Sequence, residues 1–587
     1  MYRQCTILPG TYYDSVVLMQ VAQALESFPG VQRAAVMMGT PQNKTLLQEA
    51  HLLTPEGEKA TANDLLLCVR ATTPSAATEA LQEALRRLRT REERGRIQEA
   101  PPRTLEAALR RMPEANLVSI SIPGQYARYE ASKAIRHGLH VFLFSDHVDL
   151  DTEEELKRLA AQQGVLVMGP DCGTAIIRGV PLGFAHQVAR GPVGLVSASG
   201  TGLQQVICLL SHQGIGISQA IGVGGRDLHQ RIGGQSMRAA LQTLGQDRET
   251  EVLVLISKPP APAVAASLLQ DAAQIGKPCV IAFLGNQTRH HLSPPLYPVS
   301  TLEEAAQVAG ALARGEPLPN TPPLSSPLRV VIEESRARLQ PAQRSIRALY
   351  CGGTLAYEAL WLLRRALGTV QSNLDHSLAS PPEGHIVLDL GAEEFTTGRP
   401  HPMIDPAIRR QHLLAVAQQP DVAVVLCDVL LGWGAHPAPG TALAEAWQEA
   451  QAIAHRAGHH LIGIATVCRT REDPQGYEEQ YQVLQDSGLI LAESNAQAVR
   501  LALLALGAAT GEEASPGPTM PVSDAGPPPP VPAHLPALLA EGPRVINLGL
   551  ELFATPLQTL GVPVIHVDWR PPAGGDPRLL ALLERLR

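Results

Sequence analysis

Short apolar runs alternate with amphipathic stretches along most of the chain. Runs such as 252-VLVLISKP-259 and 422-VAVVLCDV-429 are typical of buried strands, and the segments between them carry the apolar spacing of helices. Strands separated by helices in this way indicate parallel sheets covered by helices. The pattern therefore predicts an α/β protein made of several domains.

Two of these domains repeat one pattern. Residues 191–315 open with a strand, a small-residue loop and a helix in 192-PVGLVSASGTGLQQVICLL-210, and residues 344–507 open in the same way in 346-IRALYCGGTLAYEALWLL-363. Their later strands and closing helices also correspond. The repetition predicts two copies of one flavodoxin-like domain that face each other.

The remaining segments are smaller. Residues 1–95 have the strand and helix order of a ferredoxin-like domain, and residues 101–190 read as three helix–strand pairs. Segments 316–343 and 508–541 are rich in proline and small residues and are predicted to be linkers. The strand–helix–strand pattern of 542–587 is too short to bury its own core, so we expect this tail to dock on another domain or on a partner subunit.

Composition narrows the class of protein. The 587 residues carry a net charge of −8 without a basic stripe, which argues against binding to nucleic acid or to an anionic membrane surface. No apolar run is long enough to span a bilayer, and the amino terminus lacks the features of a signal peptide. None of the eight cysteines forms a C-x-x-C pair, and no ligand cluster has the spacing of a metal site. We expect reduced, buried thiols and a cytoplasmic location, and no residue is predicted to bind a metal, which leaves a metal requirement open.

Two loops have the composition of an anion site. The turns 197-SASGTG-202 and 351-CGGT-354 each join a strand to a helix, where backbone N–H groups and the helix dipole favour phosphate. Neither is a Walker A loop or a G-x-G-x-x-G fingerprint, and an ordinary tight turn is the alternative interpretation. The residues predicted to bind phosphate are Ser199, Gly200, Thr201, Gly202, Gly352, Gly353 and Thr354.

Other polar residues follow predicted strands at the sheet edge where α/β proteins bind ligands. Arg226 could hold an anion bidentately, Lys258 could hold one directly, and His436 could act as an acid or base. A salt bridge between Arg226 and Asp227, an exposed structural lysine and a structural histidine are the alternatives. The candidate catalytic residues are Arg226, Lys258 and His436, and the candidate substrate-binding residues are Asp171, Cys172, Gly224 and Gly225.

These segments resemble succinyl-CoA synthetase. Residues 101–313 resemble its α subunit in 169-GPDCGT-174, 193-VGLVSASGTGLQQ-205 and 222-GVGGRD-227. Residues 346–507 resemble the carboxy-terminal domain of its β subunit in 351-CGGTLAYEA-359, 387-VLDLGAEE-394, 421-DVAVVLCDVLLGWG-434 and 486-DSGLILAES-494. With the additional amino-terminal domain, the whole order resembles the FdrA family, whose members carry the name acyl-CoA synthetase. The resemblance implies a ferredoxin-like domain, a truncated Rossmann-like domain and two flavodoxin-like domains.

The differences from succinyl-CoA synthetase change which cofactors we expect this chain to bind. The loop that carries the phosphohistidine in that family corresponds here to 284-LGNQTRHHLSPP-295, where His290 and His291 stand in a different setting. Lys258 replaces a glutamate of that family. The glycine-rich first strand–helix unit that precedes this domain in the family is missing before Thr104, and no ATP-grasp domain is visible. We therefore expect a phosphate site without CoA or any other cofactor.

The FdrA resemblance implies a function. Proteins of this type are implicated as subunits of an oxamate carbamoyltransferase, which converts oxalurate and phosphate to oxamate and carbamoyl phosphate in allantoin (purine) catabolism. The tail segment 545-VINLGLELF-553 resembles the opening of a companion subunit, which implies a hetero-oligomer that acts on small anionic substrates. An NDP-forming acyl-CoA synthetase and a non-catalytic scaffold or regulatory subunit are the alternatives.

Overall fold

The computed structural model describes residues 2–13, 15–94, 101–285, 292–319, 324–378, 383–396, 400–508, 531–572 and 579. His290 and His291, the candidates for a phosphohistidine, lie outside the described residues. No helix in the described part of the chain is long and apolar enough to cross a membrane.

The amino-terminal domain is an antiparallel sheet covered by helices. Its elements are β1 (Tyr2–Leu8), α1 (Ser15–Glu26), β2 (Val31–Met38), α2 (Pro41–Glu49), β3 (Leu65–Ala71) and α3 (Pro74–Arg94). The strand order is β1–β3–β2. Helices α1 and α3 cover one face of this sheet, and apolar side chains of α2 and the loop after it cover the other. The predicted ferredoxin-like domain is confirmed.

One cysteine pair differs from the prediction of reduced thiols. Cys5 and Cys68 form a disulfide between β1 and β3, because the two residues lie directly opposite each other in the antiparallel register with their Cα atoms 4.2 Å apart. Alternation along single strands does not show which cysteines face each other. The other six cysteines are free and buried.

A second unit follows, the Rossmann-like domain. Its elements are α4 (Leu105–Arg111), β4 (Leu117–Ile120), α5 (Gly124–Arg136), β5 (His140–Leu143), α6 (Leu150–Gln163) and β6 (Val167–Met168). The hairpin β7 (Thr174–Ile177) and β8 (Val180–Gly183) comes next, and it joins the edge of the following sheet through an antiparallel contact. The segment 101–190 thus contributes to two sheets.

The first flavodoxin-like domain spans the next five parallel strands. Its elements are β9 (Val193–Ser197), α7 (Gly200–His212), β10 (Ile217–Gly222), α8 (Gln235–Gln246), β11 (Val252–Ser257), α9 (Pro262–Ile275), β12 (Cys279–Phe283), β13 (Leu296–Pro298) and α10 (Leu302–Arg314). The predicted linker at 316–343 contains a helix, α11 (Ser326–Arg336). Ile332 on this helix is fully buried, which a linker prediction from composition does not anticipate.

The second flavodoxin-like domain has the same plan. Its elements are β14 (Ser345–Tyr350), α12 (Gly353–Leu367), β15 (Val370–Ser372), β16 (His385–Asp389), α13 (Glu393–Thr396), α14 (Ala407–Val416), β17 (Val422–Leu430), α15 (Pro439–Arg456), β18 (Ile462–Cys468), α16 (Tyr477–Asp486), β19 (Ile490–Ala492) and α17 (Asn495–Leu506). The strand order is β15–β16–β14–β17–β18–β19, and the first domain has β13–β12–β11–β9–β10. Without the edge strand β15, both orders are 2-1-3-4-5 when strands are counted within each domain.

The tail completes the Rossmann-like sheet. Its elements are α18 (Leu535–Glu541), β20 (Val545–Leu548), α19 (Thr555–Thr559) and β21 (Val564–Val567). β20 pairs in parallel with β4, and the sheet reads β21–β20–β4–β5–β6. This is again the order 2-1-3-4-5, with the tail supplying strands 1 and 2. The prediction of a truncated domain is therefore wrong: its first strand–helix unit is present, but at the other end of the chain.

The two flavodoxin-like domains share one apolar core. Helices α7 and α10 of the first pack with α12 and α17 of the second, and the buried cluster between them includes Leu203, Leu302, Leu355 and Leu501. Because α7 and α12 each follow the first strand of their sheet, this packing brings the amino termini of both helices to the same place.

A buried glutamate links the domains at this core. Glu358 on α12 is fully buried and accepts hydrogen bonds from the Leu302 N–H at the start of α10 (2.8 Å) and from the Asn495 side chain (2.8 Å). Burial raises the pKa of Glu358 to about 7. The carboxyl group thus connects a helix of each domain.

Replacing Glu358 with alanine should remove these hydrogen bonds and lower the free energy of unfolding. The change leaves two buried donors without an acceptor, which costs about 2–5 kcal/mol in total. We expect a lower urea midpoint for the variant, with an exposed glutamate of α15, Glu445, replaced by alanine as the control that changes the midpoint little. Equal midpoints for both variants would contradict a role for Glu358 in the domain contact.

Candidate active site between two helix amino termini

The amino termini of α7 and α12 touch each other. Ser199, the residue that caps α7, donates its hydroxyl to Thr354 Oγ1 at 2.6 Å, and the Thr354 N–H donates to Thr201 Oγ1 at 3.3 Å. Both predicted anion loops therefore lie at one point between the domains, and their hydroxyl groups lock the loops together.

Some of the backbone N–H groups in the two loops already have acceptors within the protein. The Asp428 carboxylate accepts the N–H groups of Cys351 and Gly352 at 2.8 and 2.7 Å, and Ser199 Oγ accepts that of Gly202 at 2.9 Å. Gly202, Gly352 and Thr354, predicted to bind phosphate, are thus engaged within the protein. A sequence pattern does not show that a buried carboxylate from another strand fills the second loop.

Three backbone donors are left over. In the described residues, the N–H groups of Gly200, Thr201 and Gly353 have no acceptor in the protein. Gly200 and Gly353 are also the partly exposed positions of the two turns. An anion placed between the domains could accept from both helix amino termini at once, with the dipoles of both helices favouring it.

Two carboxyl groups and one lysine surround this point. Asp171 follows β6, Lys258 follows β11, and Asp389 ends β16. The charge of Lys258 lies close enough to lower the pKa of both aspartates. Loss of hydration outweighs it and raises the pKa of each to about 6. Both carboxyl groups can therefore exchange protons near neutral pH.

Asp171 has an unusual position. Asp171 is exposed to solvent although protein surrounds it on most sides, and from this we infer an open cleft at this point. Its backbone has φ +55°, in the left-handed region that costs a non-glycine residue energy and is found at functional sites. Gly225 lies beside it: a Cβ there would be 3.7 Å from Asp171 Oδ2.

The rim of the cleft carries further charge. Arg226 Nε donates to Glu153 at 3.0 Å and its Nη2 to the Val148 carbonyl at 2.6 Å, so it pairs with Glu153 and not with Asp227. Asp227 instead accepts from buried Lys157 and from N–H groups at the start of α8. The Arg226 side chain is 45% exposed, and its charge lowers the pKa of Asp171. Arg226 thus acts on the cleft as a neighbouring charge.

His401 lies at this site and was not predicted. Its Nδ1 accepts the Met403 N–H at 3.2 Å, so the neutral ring carries its proton on Nε2. Burial lowers its pKa to about 4 and keeps it neutral. A Cβ on Gly391 would approach His401 Nε2 to 2.6 Å and Asp389 Oδ1 to 3.2 Å, which places the two groups side by side. His401 stands in a loop without a motif, so only the fold reveals it.

Three other predicted residues have structural roles. His436 Nδ1 accepts the Ala438 N–H at 3.0 Å where α15 begins, and burial lowers its pKa. The Cys172 thiol is buried, and burial raises its pKa to about 12, far from that of a nucleophile. Gly224 has φ +86°, and a Cβ there would lie 2.3 Å from the Pro170 carbonyl oxygen, so glycine permits close packing below the cleft.

Comparison with known proteins agrees with this architecture. Residues 1–102 match the family model "AllF, heavy metal-associated domain", and residues 349–505 match the model "CoA-ligase". YahF of Escherichia coli, an FdrA-like protein, is 41% identical over 501 residues, which cover 83% of this chain and 96% of YahF. The chain belongs to the FdrA family.

The FdrA chain is also similar to ligases. The succinate–CoA ligase [ADP-forming] subunit alpha of Staphylococcus epidermidis is 28% identical over 185 residues, 30% of the FdrA chain and 57% of that subunit. The dinucleotide-forming acetyl-coenzyme A synthetase 1 of Ca. Korarchaeum cryptofilum has 16% identity and a TM-score of 0.28 over 67% of this chain and 82% of that one. Residues 349–505 are thus a CoA-ligase domain, and the chain has a succinyl-CoA synthetase-like fold.

The amino-terminal domain does not fit a metal despite the name of its family model. Its two cysteines, Cys5 and Cys68, are paired with each other. Across the described ranges, no group of three or more His, Cys, Asp or Glu side chains could hold a metal ion. We assign no step to a metal in this domain.

Proposed function

We propose that this FdrA chain is a subunit of a carbamoyltransferase that converts oxalurate and phosphate to oxamate and carbamoyl phosphate. The observation that carries the proposal is the set of three N–H groups without an acceptor at the two adjoining helix amino termini, together with Lys258 and the two carboxyl groups whose pKa values its charge lowers. The family relationship supports the ligase-type scaffold, and the resemblance to FdrA proteins supplies the substrate.

Phosphate binding is the first part of the mechanism. The phosphate accepts hydrogen bonds from Gly200, Thr201 and Gly353 and lies near the Lys258 ammonium group. Two helix dipoles and one positive charge offset the carboxylates nearby. Held in this way, a phosphate oxygen is positioned against the carbonyl carbon of the ureido group, and positioning lowers the barrier of the bimolecular step.

Bond changes follow from this placement. The phosphate oxygen attacks the ureido carbon and forms the new C–O bond, and the C–N bond to the oxamate nitrogen then breaks. The proton of hydrogen phosphate passes through a carboxyl group, Asp171 or Asp389, to the leaving nitrogen. A carboxyl group with a pKa of about 6 is suited to accept and then donate a proton near neutral pH. Neutral His401 donates its Nε2–H to the oxyanion of the tetrahedral intermediate.

The aspartate that does not transfer the proton helps to bind the substrate. A ureido group carries N–H donors, and an ionised carboxylate accepts them. The cleft offers such acceptors at Asp171 and Asp389, while Lys258 attracts the carboxylate or phosphate ends. A substrate with both N–H donors and negative charge thus meets complementary groups.

The test is a phosphorolysis assay on the purified complex, because companion subunits are part of the proposal. We expect oxalurate and phosphate to give carbamoyl phosphate without CoA or nucleotide. An inactive chain whose companions are fully active without it would instead favour the scaffold role.

An NDP-forming acyl-CoA synthetase is the second candidate. The match of residues 349–505 to the CoA-ligase model favours it. This reaction would show CoA-dependent release of phosphate from a nucleotide with an acid, and acid-labile phosphate on His290 or His291. The absence of both with a panel of short carboxylic acids would count against it.

A further inference from the structure

The completed Rossmann-like sheet has a defined crevice. In a doubly wound sheet of order 2-1-3-4-5, nucleotide-type ligands lie beyond the carboxyl ends of strands 1 and 3, where the strand order reverses. Here these strands are β20 and β4, which end at Leu548 and Ile120. CoA, which carries a nucleotide, is the ligand that the CoA-ligase relationship implies for such a crevice.

The loop after β20 crosses this crevice and is pinned to its other side. The Leu550 N–H donates to Ser121 Oγ at 2.8 Å, and the Ser121 N–H donates to the Leu548 carbonyl at 2.8 Å. At Gly549, with φ +112°, a Cβ would lie 2.5 Å from the Ser121 carbonyl oxygen. The backbone of the tail at Gly549 thus lies directly against the Ser121 backbone of the loop after β4.

Apolar side chains of the same loop pack beside these backbone contacts. Leu550 and Phe553 are 7% and 4% exposed and belong to the apolar core shared by the two flavodoxin-like domains. The Phe553 ring lies edge-on to Phe144 (4.7 Å between centroids) and Phe184 (5.9 Å). The turn 548-LGLELFATP-556 has a single glycine, and α19 after it is only five residues long. The loop therefore offers neither a glycine-rich cradle nor a helix amino terminus for a pyrophosphate.

The end of the tail is anchored as well. Trp569 is 5% exposed, and its Nε1 donates to Glu130 on α5 at 3.0 Å. Its ring meets Tyr126 of the Rossmann-like domain at 5.4 Å and Tyr12 of the amino-terminal domain at 5.6 Å. Displacing the tail would disrupt a sheet, an aromatic cluster and a contact between domains together.

We propose that the loop after β20 permanently fills the nucleotide crevice of this FdrA chain and forms a wall of the candidate active site. Phe553 contacts Phe184, and the ring centroid of Phe184 is 5.8 Å from that of His401 at the site. The residues of the crevice do not fit CoA, so the chain binds no CoA there. This inference rests on the sheet and its side chains and does not depend on the reaction proposed above.

Hydrogen exchange of the full-length chain tests the occupancy directly. Peptides covering 545–553 should exchange slowly, and about 1 mM CoA should change neither this protection nor the heat recorded by calorimetry. Rapid exchange in the free chain, or CoA binding that exposes the peptide, would overturn the proposal. Because no turnover is measured, failure of the carbamoyl-transfer assay leaves this result unaffected.

A pair of tail variants tests whether Phe553 forms a wall of the candidate active site. Phe553→Ala and Val567→Ala each remove a buried apolar side chain of the same tail, and Val567 lies on the edge strand β21 in a different apolar cluster. We expect only Phe553→Ala to increase exchange in the peptides that contain Phe144 and Phe184. Equal effects of the two variants there would contradict the assignment of Phe553, and if either variant fails to fold, the wild-type exchange pattern still decides the occupancy.

Discussion

Replacing Lys258 with methionine should lower kcat/KM for phosphate by about 10- to 150-fold, the loss expected when a bound anion loses one charged contact worth about 1.5–3 kcal/mol. The charge of Lys258 lowers the pKa of Asp171 and of Asp389, and Lys258 follows the strand next to the phosphate loop. Methionine keeps the length of the side chain and removes only the charge. Most of the loss should appear as a higher KM for phosphate, because the site is still formed but holds its anion weakly.

The pH dependence gives a second readout of Lys258. Its charge lowers the pKa of both aspartates, so its removal should move their pKa values upward from about 6. The limb of the kcat/KM profile that reports these groups should then shift to higher pH. The exposed Lys59 in the amino-terminal domain, replaced by methionine, is the matched control. A Lys258 variant with an unchanged KM and an unchanged pH profile would show that phosphate binds elsewhere.

Asp389→Asn should stabilise the protein at pH 8 while it reduces turnover. The folded-state pKa of about 6 lies above the ordinary aspartate pKa of 3.8, so the native state holds its proton more tightly than the unfolded state does. For a carboxyl group shifted in this direction, stability is lost as pH rises from about 4 to about 6, by up to about 3 kcal/mol. Asparagine is neutral at every pH and avoids this loss.

The measurement is the urea midpoint at pH 5 and pH 8, followed by tryptophan fluorescence. The increase in the urea midpoint caused by Asp389→Asn should be clear at pH 8 and small at pH 5. Asp375→Asn in the same domain is a control of opposite sign, because the pKa of Asp375 is lowered, with hydrogen bonds from Arg364 and Ser377 among the causes. A pH-independent effect of Asp389→Asn would contradict the buried ionisable carboxyl group. Turnover should fall by about 100-fold or more if Asp389 transfers the proton.

The periodicity of the sequence predicted the domains because strands and helices of doubly wound sheets are local features. The run 252-VLVLISKP-259 reads as a buried strand without any knowledge of its neighbours, and Lys258 follows from its place at the end of that strand. The juxtaposition of Ser199 with Thr354 was also foreseeable, since two copies of one domain that face each other bring equivalent loops together. These are properties of single segments or of their repetition.

Contacts across the chain were not predictable in this way. The tail strand β20 pairs with β4, more than 400 residues earlier, and nothing in either segment specifies the other. For the same reason Asp428 was not expected in the second anion loop, nor His401 beside Asp389. The disulfide Cys5–Cys68 depends on the register of two strands that are separated by 63 residues. Long-range pairing is decided by packing energy, which composition and spacing do not report.

The most direct test of the proposed reaction is phosphorolysis of oxalurate by the purified complex that contains the FdrA chain, with CoA and nucleotide omitted and then added. If the chain is a subunit of this carbamoyltransferase, carbamoyl phosphate forms in the absence of both, added CoA has no effect, and at low phosphate much less product forms with Lys258→Met but not with Lys59→Met. Phosphate released from a nucleotide only when CoA and an acid are present, with no carbamoyl phosphate under any condition, would contradict it.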